Sequence, residues 1–397
     1  MILLDYPYTS DFLIETVVKN QFPVVATREA KEILLGKNAN LISEEDAINS
    51  IISNPLNPIY TNSENSIAWI QQNLKGSPLP EKIETFKNKF RFRELIQEAY
   101  PDYFFRSATL SELGQLDING FKFPFIIKPT VGFFSIAVHK VDRPENWPSI
   151  VKKIEKQIEK SKSLYPKEVV SNTDFIIEEY ISGEEYAFDC YFDEIGEPVI
   201  LNVLHHVFTS EYDVSDRVYS SSKEVIDRLY RPIMDFLMLI SSKIDLRNFP
   251  LHIEFRETAP GKINPIEVNP MRFGGWCTTA DLTWFSYGIN SYEYFFQSRR
   301  PDWEKVFEKR LDKKYSLILL DNQSDVPQEH IAYFDFESIA KDFENPLHIR
   351  NVNMDKFGVF GFMFTETSKG NERELQDILH SDLKKYMVLK EEVKSQE

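Results

Sequence analysis

Glu254, Glu267 and Asn269 are oxygen donors spaced so that a β-ribbon would gather them on one face. In Leu251 to Gly275, LHIEFRETAPGKINPIEVNPMRFGG, two short runs of alternating polarity flank Pro260-Gly261 and read as a hairpin. Counted from that turn, Ile253 faces Val268 and Phe255 faces Ile266 on an apolar side. His252 meets Asn269 and Glu254 meets Glu267 on the other. Opposed carboxylates repel unless a proton or a cation lies between them, and the sequence puts no lysine beside them. Carboxylate and amide oxygens suit Mg²⁺, which keeps some of its waters and binds together with substrate phosphates. The plainer reading is a half-exposed hairpin whose polar face meets water. Proline at the first turn position does not suit a type I′ turn, so a four-residue loop that keeps the same pairs is the alternative to a two-residue one.

Such a ribbon needs a scaffold, and the chain is long enough for two or three domains, with 397 residues of which 42% are hydrophobic. A net charge of −16 without a block of Lys and Arg argues against nucleic acid as the main partner. An anionic small molecule at a local basic pocket stays open. Cys190 and Cys277 are too few for a disulfide framework or a Cys-rich zinc site. The start MILLDYPYTS lacks a basic leader, and no apolar run is long enough to span a membrane, so a soluble cytoplasmic protein is expected.

Along the chain, Ile2 to Leu4, Asp11 to Asn20 and Phe22 to Ala26 read as strand, helix and strand, with helices near Glu44 to Ile52 and Ser63 to Leu74. Asp5-Tyr6-Pro7 stands where a dinucleotide fold would carry glycines, so no dinucleotide site is expected there. Gly76 to Pro80 reads as a linker. Next come a helix from about Glu81 to Ala99, the alternating FPFIIKP, and a polar helix from Trp147 to Ser163. Strands Phe175 to Glu178, Glu185 to Phe192 and Val199 to His205 form a meander, and the helix Ser222 to Ile244 leads into the acidic hairpin. After Arg299-Arg300-Pro301, strands at Ser316 to Leu320 and Val359 to Phe364 and a helix Glu372 to Tyr386 read as a separate C-terminal unit.

Lys128 closes an apolar strand and precedes Pro129, which keeps it extended, so its ammonium projects where a phosphate could be neutralised. Asp189 shares a strand face with Glu185. His205 and His206, being adjacent, point to opposite faces, and no Ser-His-Asp, Cys-His or zinc spacing competes.

Over roughly Lys89 to Gly275 these motifs resemble the ATP-grasp superfamily of the carboxylate-amine ligase type. Glu254, then Glu267 thirteen positions on, then Asn269, match the family's metal hairpin. The resemblance implies an α/β fold of α+β lobes, with a Rossmann-like pre-ATP-grasp domain over residues 1–80, a two-lobed ATP-grasp domain over 81–300 and a small C-terminal α/β unit over 301–397. It implies ATP and Mg²⁺ as cofactors, with Mn²⁺ as the alternative ion. Lys128 and Lys89 would be the phosphate-binding lysines, with Lys87 a close rival to Lys89. TVGFFS, Thr130 to Ser135, resembles the phosphate-covering loop, in which Gly132 and Ser135 would meet the nucleotide, although it is poorer in glycine than its relatives. Its other reading is a tight turn that buries Phe133 and Phe134. Glu178, Glu179 and Ile181 would form the hinge that reads adenine, and Glu185 would accept the ribose hydroxyls, against the alternative of a charged hairpin edge. Arg272, one place late because of Met271, would hold the substrate carboxylate. Arg217, Arg256, Trp276 and His206 are further candidates that more often serve structure.

The activity implied is ATP-dependent joining of a small-molecule carboxylic acid to an amine through an acyl phosphate. A kinase or bicarbonate-phosphorylating enzyme, and a regulatory protein that binds ATP without turnover, are the alternatives. Neither nucleic acid nor membrane is an expected partner, and a homodimer is admitted.

Overall fold

The computed structural model describes residues 1–131, 137–161, 174–210, 215–353 and 358–390. Strands β1 (Ile2–Leu3), β2 (Val24–Val25), β3 (Leu41–Ile42) and β4 (Tyr60–Thr61) form a parallel sheet in the order β3-β2-β1-β4. That is the order of half a Rossmann fold, and its parallel pairs need helical crossovers. These are α1 (Asp11–Asn20), α2 (Arg28–Ile33) and α3 (Glu44–Ser53), each started by a hydroxyl that accepts an orphan N–H, with α4 (Glu64–Asn73) following β4. Two-residue strands and a six-residue helix carry too little periodic signal to stand out, which is why the sequence does not announce β3, β4 and α2.

The predicted linker at residues 76–80 is shorter than expected, because α5 (Leu79–Lys87) starts inside it with Pro80 in its first turn. The single helix expected over residues 81–99 is two, since Asn88 leaves helical geometry (φ −83°, ψ 106°) and caps α6 (Lys89–Ile96) by accepting from the N–H groups of Phe90 and Arg91.

Beyond α6, β5 (Phe105–Thr109), β8 (Asp174–Glu179), β6 (Phe125–Pro129) and β7 (His139–Val141) form an antiparallel sheet in that order. Helix α7 (Trp147–Ser161) covers it, and Phe125, Ile127, Ile154, Phe175 and Ile177 form a core of its own.

The largest layer is an eight-stranded sheet ordered β13-β12-β9-β10-β11-β14-β17-β16. Its strands are β9 (Glu184–Phe192), β10 (Pro198–Val207), β11 (Val218–Ser222), β12 (Phe249–Ala259), β13 (Lys262–Pro270), β14 (Lys313–Asp321), β16 (Asn345–Asn351) and β17 (Val359–Ser368). Leu13, Val17 and Ile70 of the N-terminal unit share one core with Phe188, Phe249 and Tyr292, so that unit is seated on this sheet. The C-terminal segment differs from the expected separate unit. It has its own core of Ile318, Leu320, Phe360, Met363 and Leu375, but β14, β17 and β16 continue the sheet that bears the hairpin. Its expected long helix is only Arg373–Leu379, while β15 (Ile331–Phe334) pairs with β18 (Met387–Leu389). Among the described residues no helix is long and apolar enough to cross a membrane.

Candidate active site

The hairpin turns in two residues, since Ala259 pairs with Lys262 across Pro260-Gly261, and Gly261 has φ +73°. Proline followed by a positive-φ glycine is the signature of a type II turn, which replaces the four-residue loop. Glu254 is opposite Glu267, Ile253 opposite Val268, and His252 opposite Asn269. The expected pairing of Phe255 with Ile266 does not form. Phe255 faces Pro265, because the register shifts by one residue just beyond Glu254. A bulge there bends the ribbon beside the two acids.

The expectation that no lysine stands beside these acids is corrected by the fold. Lys89 Nζ is 3.0 Å from Glu267 Oε1, brought from 178 residues away. The break at Asn88 aims it, and the Lys89 N–H pins the helix start to Thr130 O at 2.8 Å. Lys87, one residue before the break, reaches Glu64 instead at 2.8 Å. Burial works against the charge of Glu267, but Lys89 and Lys128 outweigh it and hold its carboxyl below the usual range. Glu254 goes the other way, pushed well up by burial and then by the charges of Glu267, Glu185 and Asp216. Each acid keeps about a third of its side chain open, at 32% for Glu254 and 30% for Glu267. A cation would relieve that repulsion. Asn269 Oδ1 accepts from Arg272 Nη2 at 2.9 Å and keeps a second lone pair, so two carboxylates and an amide fit a hard divalent ion. No cluster of three or more His, Cys, Asp or Glu suited to a metal occurs among the described residues.

Lys128 sits at the end of β6 with Nζ 2.6 Å from Glu178 Oε1. Arg93 Nε donates to the other oxygen of Glu178 at 2.7 Å, and its Nη1 donates to Pro265 O, at the bulge, at 2.6 Å. Burial opposes ionisation of Glu178, yet the two cations hold its pKa down at about 2. Its side chain is thus a buried counter-ion. Arg93 escaped the sequence reading, although it follows Lys89 by four residues and so shares its helix face.

In the segment expected to form the hinge, Glu179 O accepts from Tyr103 Oη at 3.0 Å, Glu179 N–H donates to Phe104 O at 3.0 Å, and its carboxylate pairs with Lys122. Ile181 O accepts from Arg256 Nη1 at 2.8 Å. Glu185 is gripped from two sides, by His206 Nδ1 at 3.0 Å and by Arg256 Nε at 3.0 Å. Asp189 does not open onto this face as its alternation suggests. It is fully buried, and its Oδ1 meets His252 Nδ1 at 2.8 Å and the Gly274 N–H at 3.0 Å.

Met271, the extra residue, takes φ +67° and is buried, with its N–H on Pro250 O and its carbonyl accepting from Thr61 N–H of β4. Arg272 then turns toward the acids and donates to Glu64 Oε1, Phe273 O and Asn269 Oδ1, each at 2.9 Å. Glu64 opens α4 and also escaped the sequence reading, because nothing local marks a partner 208 residues distant. Arg217 is buried against Asp321 at 2.8 Å, and Trp276 stacks on Tyr8 with ring centres 5.9 Å apart. Gly132, Ser135, Phe133 and Phe134 lie outside the described residues. A surface recess of about 480 Å³ near Glu94, Gln97 and Lys243 contains none of these groups.

Residues 121–280 match the family model of the ATP-grasp domain. No curated protein matches the chain by sequence. Among solved structures, an L-amino acid ligase from Bacillus licheniformis is similar at 17% identity, with 98% of this chain and 97% of that one covered and a TM-score of 0.69. A biotin carboxylase–β-γ-ATP complex from Campylobacter jejuni is similar at 12% identity, 98% and 91% coverage and a TM-score of 0.62. An N5-carboxyaminoimidazole synthase from Aspergillus clavatus, in complex with ADP and 5-aminoimidazole ribonucleotide, gives 11%, 97% and 98%, and 0.63. At these identities the likeness is one of fold.

Proposed function

We infer that this chain, an ATP-grasp protein by its matched domain and its fold, is an ATP-dependent carboxylate-amine ligase. The γ-phosphoryl group of ATP passes to a carboxylate oxygen, giving an acyl phosphate and ADP. An amine then attacks the acyl carbon, phosphate leaves with the C–O bonding pair, and the amine proton is lost as the amide forms. The observation that carries this reading is the opposed pair Glu254 and Glu267, of which Glu267 accepts from Lys89 and feels the charge of Lys128.

Mg²⁺ held by Glu254, Glu267 and Asn269 would offset phosphate charge, as is usual in phosphoryl transfer. The chain's own groups do the rest by position. Lys89 and Lys128 stand as counter-charges for phosphate, their present acid partners keeping them ordered at 3.0 and 2.6 Å. Arg272 has five N–H groups, of which Glu64, Phe273 and Asn269 take one each, so each terminal nitrogen keeps one for a substrate carboxylate. Glu185 offers remaining lone pairs to ribose hydroxyls, and the hinge from Glu179 to Ile181 borders the base. Acids and amines of amino-acid type are the substrates proposed, in a cytoplasmic enzyme.

A coupled assay for ADP and phosphate against pooled carboxylic acids and amino acids, with mass spectrometry of condensation products, tests this. Glu267→Ala is expected to lower ADP release at least a hundredfold while the circular dichroism spectrum is kept, and normal turnover by that variant would remove the metal assignment. Tight ATP binding without phosphate release across the whole panel would select the regulatory alternative.

A further inference from the structure

Arg256 was singled out by sequence as more often structural, but its place in the ribbon gives it another role. It lies two residues beyond Glu254 on β12, so the two side chains leave the same face, about 7 Å apart along the strand. It is in register with Glu185 on the neighbouring strand. Its guanidinium donates through Nε to Glu185 Oε2 at 3.0 Å, with Nη2 also 3.0 Å from that oxygen, and through Nη1 to Ile181 O at 2.8 Å and Tyr180 Oη at 3.0 Å. The Tyr180 ring centre is 5.3 Å from its central carbon. The side chain is 20% exposed. A group that reaches the hinge at one end and begins beside a metal acid at the other lies along the path that a nucleoside must span between hinge and phosphates.

We propose that Arg256 forms the floor of the nucleoside pocket, presenting a flat cationic face to the base while holding Glu185 in place for the ribose hydroxyls. The proposal rests on the nucleotide reading above and names a residue that the reading does not include. Acceptors at Glu185, Ile181 and Tyr180 hold the guanidinium against the Tyr180 ring, and a planar cation held this way has the shape that stacks on a further π-system. Lysine would reach one acceptor but offer no plane, and a long apolar side chain would offer a surface but leave Glu185 with His206 alone.

Isothermal titration of the full-length protein with Mg·ATP and, separately, with Mg·tripolyphosphate tests this, since the second ligand has charge and metal but no nucleoside. Arg256→Met is expected to weaken Mg·ATP at least tenfold and to leave Mg·tripolyphosphate within about twofold. Arg256→Lys is expected to regain only part of the loss. Unchanged ATP affinity in Arg256→Met overturns the proposal, as does equal weakening for both ligands, which would mark a merely structural role. If the unaltered protein bound neither ligand, the nucleotide reading and this proposal would fall together, whereas wild-type binding with an unaffected variant would sink only the role of Arg256.

Discussion

Glu254 and Glu267 face one another with proton affinities shifted in opposite directions, and this has a measurable result. Burial and then neighbouring carboxylates raise the pKa of Glu254, whereas Lys89 and Lys128 outweigh burial and lower that of Glu267. An ion bound between them competes with protons for Glu254, so affinity for Mg²⁺ is expected to rise with pH. Titration of Mg²⁺ in two buffers of different ionisation heat is expected to show proton release on binding. Identical apparent enthalpies in the two buffers would contradict it. At this scale the sequence pointed to the acids, Asn269, Lys89, Lys128 and Arg272, but not to Glu64 or Arg93. Glu64 and Arg93 have partners 208 and 85 residues distant, and no local pattern announces an ion pair of that span. The buried charge of Glu178 was read as part of a main-chain hinge, because a hinge motif does not show which way its acid turns.

Secondary structure was legible where periodicity ran long, as in α1, α3, the helix Lys223–Lys243, β9, β10 and the acidic ribbon. It was illegible where one residue decides the geometry. The break at Asn88 that separates Lys87 from Lys89, the bulge beside Glu267 and the left-handed Met271 each redirect a functional side chain without altering the hydrophobic pattern. Gly183 is another such position. Its φ is +121°, and a Cβ there would lie 2.2 Å from Glu257 O of β12. Gly183→Ala must therefore push the segment after the hinge off that strand. A stability loss of roughly 1–3 kcal/mol by urea unfolding is expected, together with a raised KM for ATP, and a variant matching the parent in both would show that this close approach is dispensable.

At the level of the whole molecule, acid–base pairs join the bodies of the fold. Glu64 links the N-terminal unit to Arg272 and Lys87, and Glu178 links the four-stranded sheet to Arg93. Burial opposes charge at both acids, but their cations hold each pKa at about 2 against an ordinary 4.5. A depressed acid pKa contributes stability that is complete above the unfolded value and lost as pH falls through the folded one. The melting temperature is therefore expected to fall steeply between about pH 4.5 and 2, and Glu64→Gln, already less stable at pH 7, to fall less steeply over that window. Parallel curves for the two proteins would show that Glu64 carries no such linkage. The layered plan around a Rossmann-like sheet was readable from the motifs, whereas the fusion of the C-terminal strands to the sheet of the acidic ribbon was not, since strand order across a long intervening stretch leaves no trace in local composition.

That fusion bears on how the chain is made. During synthesis from the N-terminus, the acidic ribbon leaves the ribosome complete at Pro270, yet β11 waits with an open row of N–H and C=O groups until Lys313–Asp321 emerges to cover it. A nascent chain stalled in that interval carries the whole acidic ribbon and a sticky margin at once, so Lys313–Asp321 and the strands after it act as a closing seam for the sheet that bears the ribbon.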